Sequence, residues 1–189
     1  ALMNIRTVCG LTMLLFAGQL GGAPVLRQVD DFEDGSVMNW IVGAGPMGAV
    51  SPVPPTNVSS GGPSGADDNY LYLQSLGGDG PGSRLTAQNF VQWTGDYLTS
   101  GVGSVRMDVR NLGTTDLSLR LLVLELGMMG PVNGAFSNDA IFVPAGQDWT
   151  TVVFPLVPDA LTSFVGSTTA TLSNVSELRI FHNVDAAFP

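Results

Sequence analysis

The chain has 189 residues, with seven arginines, no lysine and sixteen acids, thirteen of them Asp, for a formal net charge of −9. A surface of that sign repels the phosphates of nucleic acids and of anionic membranes, so nucleic acid is excluded as a partner. The 24 Gly and 12 Pro favour chain reversals over helices, and with the excess of Asp they argue for an all-β domain.

The first segment reads as a secretory signal over residues 1–22. Arg6 supplies the positive charge, Val8 to Phe16 form an apolar run too short to cross a bilayer as a helix, and the small residues Ala17, Gly18, Gly21, Gly22 and Ala23 follow. The cleavage point is open, because cutting after Gly22 leaves bulky Leu20 nearby and cutting after Ala23 puts Pro24 next. The competing readings of the same run are an N-terminal core helix and an uncleaved anchor. The single cysteine, Cys9, lies inside this leader, so residues 23–189 carry no disulfide. They are enough for one domain held by a packed core, with no membrane span in the mature chain.

Val25 to Phe32 is read as the first strand, running into Asp30-Asp31-Phe32-Glu33-Asp34-Gly35, and Trp40 to Val42 adds a short one. Gly43 to Gly48 resembles a dinucleotide loop in letters only, since no helix follows it. Pro52 to Asp68 is a long loop, Asn69 to Ser75 a strand, Gly77 to Gly82 a tight turn and Ser83 to Val91 a strand.

From Ser104 to Arg110 the chain alternates strictly, with Val105, Met107 and Val109 on one face. Leu117 to Leu126 starts with the same alternation and then turns apolar on both faces apart from Glu125, which reads as a central covered strand or one with a bulge. Ala140 to Val143, Trp149 to Leu156 and Glu177 to Asn183 complete the set, and Asp159 to Phe164 has the pattern of one helical turn. That makes about eight or nine strands without intervening helices, which predicts a two-sheet antiparallel β-sandwich of jelly-roll kind.

The chain resembles a class of bacterial secreted jelly-roll domains related to carbohydrate-binding modules and found on exported proteins with a PEP-CTERM sorting tail. The resemblance is carried by Asp31-Phe32-Glu33-Asp34-Gly35 with Trp40, Gly61-Gly62-Pro63-Ser64-Gly65 before Asp68-Asn69-Tyr70-Leu71, Gly80-Pro81-Gly82-Ser83-Arg84-Leu85, and Gln92-Trp93-Thr94-Gly95-Asp96-Tyr97. It continues in Asn111-Leu112-Gly113, in Trp149 to Phe154 and in Leu172 to Asn183, covering nearly all of residues 23–189. None of these motifs is a catalytic signature. The resemblance implies a structural calcium held by Asp31 and Glu33 together with an aspartate on a last strand that would lie beyond Pro189.

Calcium takes six to eight oxygen ligands, and Asp30, Asp31, Glu33 and Asp34 are the carboxylates placed to offer some of them. The competing reading of this acidic stretch is a solvated strand edge that discourages sheet-to-sheet pairing. Asp67, Asp68 and Asp79 form a second acidic group, read first as turn aspartates.

Sugar recognition asks for exposed rings flanked by hydrogen-bonding groups, and Tyr70, Tyr72, Trp93, Asp96 and Tyr97 are the candidates, with core packing the alternative for Trp93 and Tyr97. Trp40 and Trp149 adjoin apolar strand residues and read as core. The only histidine, His182, alternates onto the face of Leu178 and Ile180, which fits a rim or satisfied histidine better than a catalytic one.

The functional expectation is a non-catalytic, secreted or cell-surface module that binds polysaccharide or another cell-surface glycan and is stabilised by calcium. The alternative is a structural surface or biofilm protein that associates with itself and takes no sugar, with an enzyme of polysaccharide degradation a distant third.

Overall fold

The computed structural model describes residues 24–43, 53–77 and 85–185, and the backbone of residues 2–6. The leader therefore lies outside the described residues except for its first strand, as do the Gly43 to Gly48 turn beyond Gly43, Ser83 and Asp79.

The fold is mostly β, with antiparallel pairing throughout. In chain order the strands are β1 (Leu2–Arg6), β2 (Val29–Asp30), β3 (Thr56–Val58), β4 (Tyr70–Tyr72), β5 (Thr86–Asn89), β6 (Ser104–Arg110), β7 (Leu117–Gly127), β8 (Gly130–Ser137), β9 (Ile141–Val143), β10 (Thr150–Pro155), β11 (Leu161–Val165) and β12 (Glu177–His182). Among the described residues two short helices, α1 (Tyr97–Ser100) and α2 (Thr168–Ser173), interrupt them. One sheet has the order β10-β6-β1-β4-β3 with β2 beside β1. The other has the order β11-β8-β7-β12-β5 with β9 beside β7, and Ile41 extends its β5 edge by pairing with Gln88.

The alternation read in β6 decides the packing. Val105, Met107 and Val109 are buried and join Leu71, Val152 and Phe154 of the first sheet with Leu119, Leu121, Val123, Leu178 and Ile180 of the second in one core. β7 loses its polar face because it is central in its sheet and buried on both sides. Leu122 and Leu124 build a second apolar cluster with Phe136 and Phe181 on the sheet's other face. Its register with β8 shifts between Glu125 and Leu126, so the expected irregularity is present too.

Three strands depart from the sequence expectation. β3 lies within the stretch read as a long loop, where it pairs with β4. β8, with its Gly, Pro and Asn, has the composition of a turn, yet β7 and β11 bond it on both sides. The helical turn expected over Asp159 to Phe164 is a 3-10 turn at Pro158–Ala160 followed by β11.

Gly134 shows why a glycine sits inside β8: a Cβ there would lie 2.5 Å from Phe164 Cζ and 2.8 Å from Leu124 Cδ2. Phe164 itself stacks on Phe136 at 6.3 Å between ring centroids.

The largest difference is β1. Residues expected to leave with the signal instead hold a middle position in the first sheet, paired with β6 along one side and with β4 and β2 along the other.

Candidate functional site

The acidic stretch after β2 does not converge. The Glu33 amide donates to Asp31 Oδ1 (3.2 Å), and the Ser36 amide and hydroxyl donate to Asp34 (2.8 and 3.0 Å). Those two Ser36 bonds hold the Asp34 carboxyl below its ordinary value. Glu33 Oε1 reaches across to accept the Asn69 amide (2.9 Å), tying the segment to the start of β4. The chain turns here through Phe32, which is fully buried with φ 63, and Gly35 with φ 77.

Among the described residues no group of three or more His, Cys, Asp or Glu is gathered as metal ligands. Asp31 and Glu33 do not make the oxygen set calcium needs. The calcium expectation therefore rests on the resemblance alone. Asp68, of the second acidic group, accepts the Ser64 amide (2.6 Å), in keeping with a turn aspartate.

Asp30 behaves differently from its neighbours because strand parity turns it inward, where it is 1% exposed. Its Oδ2 accepts the indole N–H of Trp93 (2.6 Å), the indole N–H of Trp40 (2.7 Å) and the side-chain amide of Gln92 (2.9 Å). One carboxylate oxygen thus pins three segments together. Burial pushes the Asp30 carboxyl above its ordinary value, against the pull of the Trp93, Trp40 and Gln92 bonds. The Tyr97 hydroxyl donates to Trp93 O (2.8 Å), and burial, then the nearby Asp30 charge, push that phenol up.

Of the five residues expected to bind a ligand, this arrangement removes two from any surface platform: Trp93 and Tyr97 are buried, their alternative reading. Asp96 is the N-cap of α1, its Oδ1 accepting the amides of Leu98 (2.9 Å) and Thr99 (3.0 Å). Those bonds, that of Thr99 first, lower its carboxyl.

Tyr70 and Tyr72 are half-buried, on the face of β4 opposite core Leu71. Trp149 joins them, contrary to the expectation that it packs in the core. Val152 and Phe154 point inward from β10, so Trp149 falls on the opposite parity and is only half-buried. Its ring meets Tyr70 edge-on at 5.6 Å and 68°, and its Nε1 donates to Gly61 O (3.0 Å). In the sheet order β6 and β1 lie between β10 and β4.

The same outer face carries the polar row of β6. Arg110 Nε lies 3.2 Å from Asp148 Oδ1, and Arg106 Nη2 donates to Thr151 Oγ1 (3.3 Å). Thr151 Oγ1 in turn donates to Asp108. Arg106 Nε is buried and has no hydrogen-bond partner among the described residues. Rings, guanidinium groups and carboxylates on one sheet face are the ingredients for stacking on a sugar ring and bonding its hydroxyls.

At one end of the sheets a cavity of about 650 Å³ opens between Tyr72, Gln74, Leu85, Asn111, His182 and Val184. His182 Nδ1 accepts the Ser118 amide (2.9 Å), which fixes the ring as a half-buried rim histidine.

No protein-family model, curated protein or solved structure matches the chain. Among the described residues no helix is long and apolar enough to cross a membrane.

Proposed function

We propose that the chain is a non-catalytic module of jelly-roll sandwich kind, secreted or held at the cell surface, that binds polysaccharide on the outer face of its first sheet. One observation carries this reading: Tyr70, Tyr72 and Trp149 share that face with the ion pair of Arg110 and Asp148. Export is supported by the apolar leader, and the relation to carbohydrate-binding modules by the sequence resemblance. Calcium at Asp31 and Glu33 enters only with ligands from outside the described residues.

A structural surface protein that associates with itself is the second reading. Met128 and Met129, at the tip of the β7–β8 hairpin, favour it, since both are fully exposed at 98% and 102%.

Affinity electrophoresis of the full chain through gels containing neutral and uronate polysaccharides separates the two. Retardation by at least one polysaccharide, with monomers in sedimentation, supports the sugar-binding module. No retardation in any gel, with concentration-dependent association, supports the structural protein and sinks the first reading.

A further inference from the structure

We propose that the place of β1 is a strand-acceptor slot, which takes up an extended strand of another polypeptide once the leader is gone. The proposal rests on the reading of residues 1–22 as a removable signal. Removing them takes out a strand with neighbours on both sides. Met3 and Ile5 pair with Val109 and Met107 on one side, and with Leu71 and Asp30 on the other. The gap that remains is one strand wide, about 10 Å between the flanking backbones, and it is lined by N–H and C=O groups that have lost their partners. A strand inserted there bonds along both of its edges, whereas ordinary edge addition bonds only one.

The side chains of β6 say what kind of strand fits. Val105, Met107 and Val109 face the core, so the guest needs apolar residues at the places of Met3 and Ile5. The register sets position 6 directly opposite Arg106. Arg106 Nε is a buried donor without a partner among the described residues. A guest strand with a carboxylate at that position offers this donor an acceptor. The preferred guest is thus an extended peptide with two apolar residues at alternate positions followed, one place on, by Asp or Glu. Residues 2–6 themselves carry no acid, and a strand that does displaces them.

The test uses the full chain with a specific protease site introduced between Thr7 and Pro24, folded first and then cut. Fluorescein-labelled peptides spanning residues 1–7 are added as the natural sequence, as Arg6→Glu and as Asn4→Pro. The slot predicts one-to-one uptake of the natural peptide and about threefold to tenfold tighter binding of Arg6→Glu. That advantage is lost when the protein carries Arg106→Met. The Asn4→Pro peptide, lacking a ladder amide, is not taken up. Absence of uptake by cut protein that stays folded overturns the proposal, as does equal affinity for the natural and Arg6→Glu peptides, or dimerisation of the cut protein in place of uptake. Because the cut is made in vitro, these outcomes are independent of whether a cell removes the leader. N-terminal sequencing of exported protein decides that separately.

Discussion

Replacing Asp30 by alanine removes the acceptor shared by Trp40, Trp93 and Gln92. Gln92 keeps a partner, because its amide also donates to Met38 O. The two indole N–H groups belong to fully buried residues and lose theirs. At about 1 to 3 kcal/mol for each orphaned donor, Asp30→Ala costs about 4 kcal/mol. For a domain of this size that lowers Tm by roughly 8 to 16 °C. Asp30→Asn keeps a carbonyl oxygen for the indoles and removes a buried charge, so its loss is smaller, about 1 to 2 kcal/mol.

The same residue sets a pH dependence of definite sign. Burial raises the folded carboxyl above its ordinary value of 3.8, so the folded state holds this proton more tightly than the unfolded chain does. The stability from Asp30 is then fully present below that ordinary value and falls as pH rises through the folded one. Urea unfolding followed by tryptophan fluorescence, run from pH 3 to 8 on wild type and Asp30→Asn, reads both quantities. The variant should lack the part of the decline due to Asp30. An Asp30→Ala loss below about 1 kcal/mol, or equal losses for Ala and Asn, would refute the account of Asp30 as the acceptor that holds the two indoles.

Further outcomes follow from other contacts. Arg179→Ala strands Glu177, buried beside it with 2.7 Å between Arg179 Nε and Glu177 Oε1, and should cost about 3 to 5 kcal/mol in urea unfolding. Replacing the pair together by Gln and Met should cost less than that single change. Gly134→Ala forces Phe164 off its stack on Phe136 and should cost about 1 to 2 kcal/mol. In a Phe164→Ala background the part of that penalty due to Phe164 should vanish while the Leu124 contact remains, which a double-mutant cycle measures. Glu33→Ala loses the bond to the Asn69 amide, so its melting temperature should drop equally in EDTA and in millimolar calcium. A drop confined to calcium would put a metal on Glu33.

Where period and burial agree, the fold was legible. β6 appears over the residues its alternation marks, and β7 loses its polar face because a second apolar cluster covers it. β8 was hidden because its Gly, Pro and Asn serve pairing and close packing against Phe164, which local propensity does not encode. The acidic run hides the one step of parity that separates Asp30 from Asp31. The available signal was chemical: two buried tryptophans each need an acceptor, and an inward aspartate supplies it. The outward parity of Trp149 follows by counting back from Phe154 along β10, a signal its apolar neighbours obscure. The position of β1 had no signal at all, since it depends on which strands lack a neighbour once the rest has folded.

The outer face of the first sheet is the proposed binding surface. Its most direct test is affinity electrophoresis of Tyr72→Ala and Trp149→Ala against wild type, in a gel containing a polysaccharide that retards the wild-type chain. Each substitution is expected to weaken retardation about twofold to twelvefold, as loss of a stacking ring worth about 0.5 to 1.5 kcal/mol requires, while each variant still unfolds cooperatively. Undiminished retardation of both folded variants would contradict it.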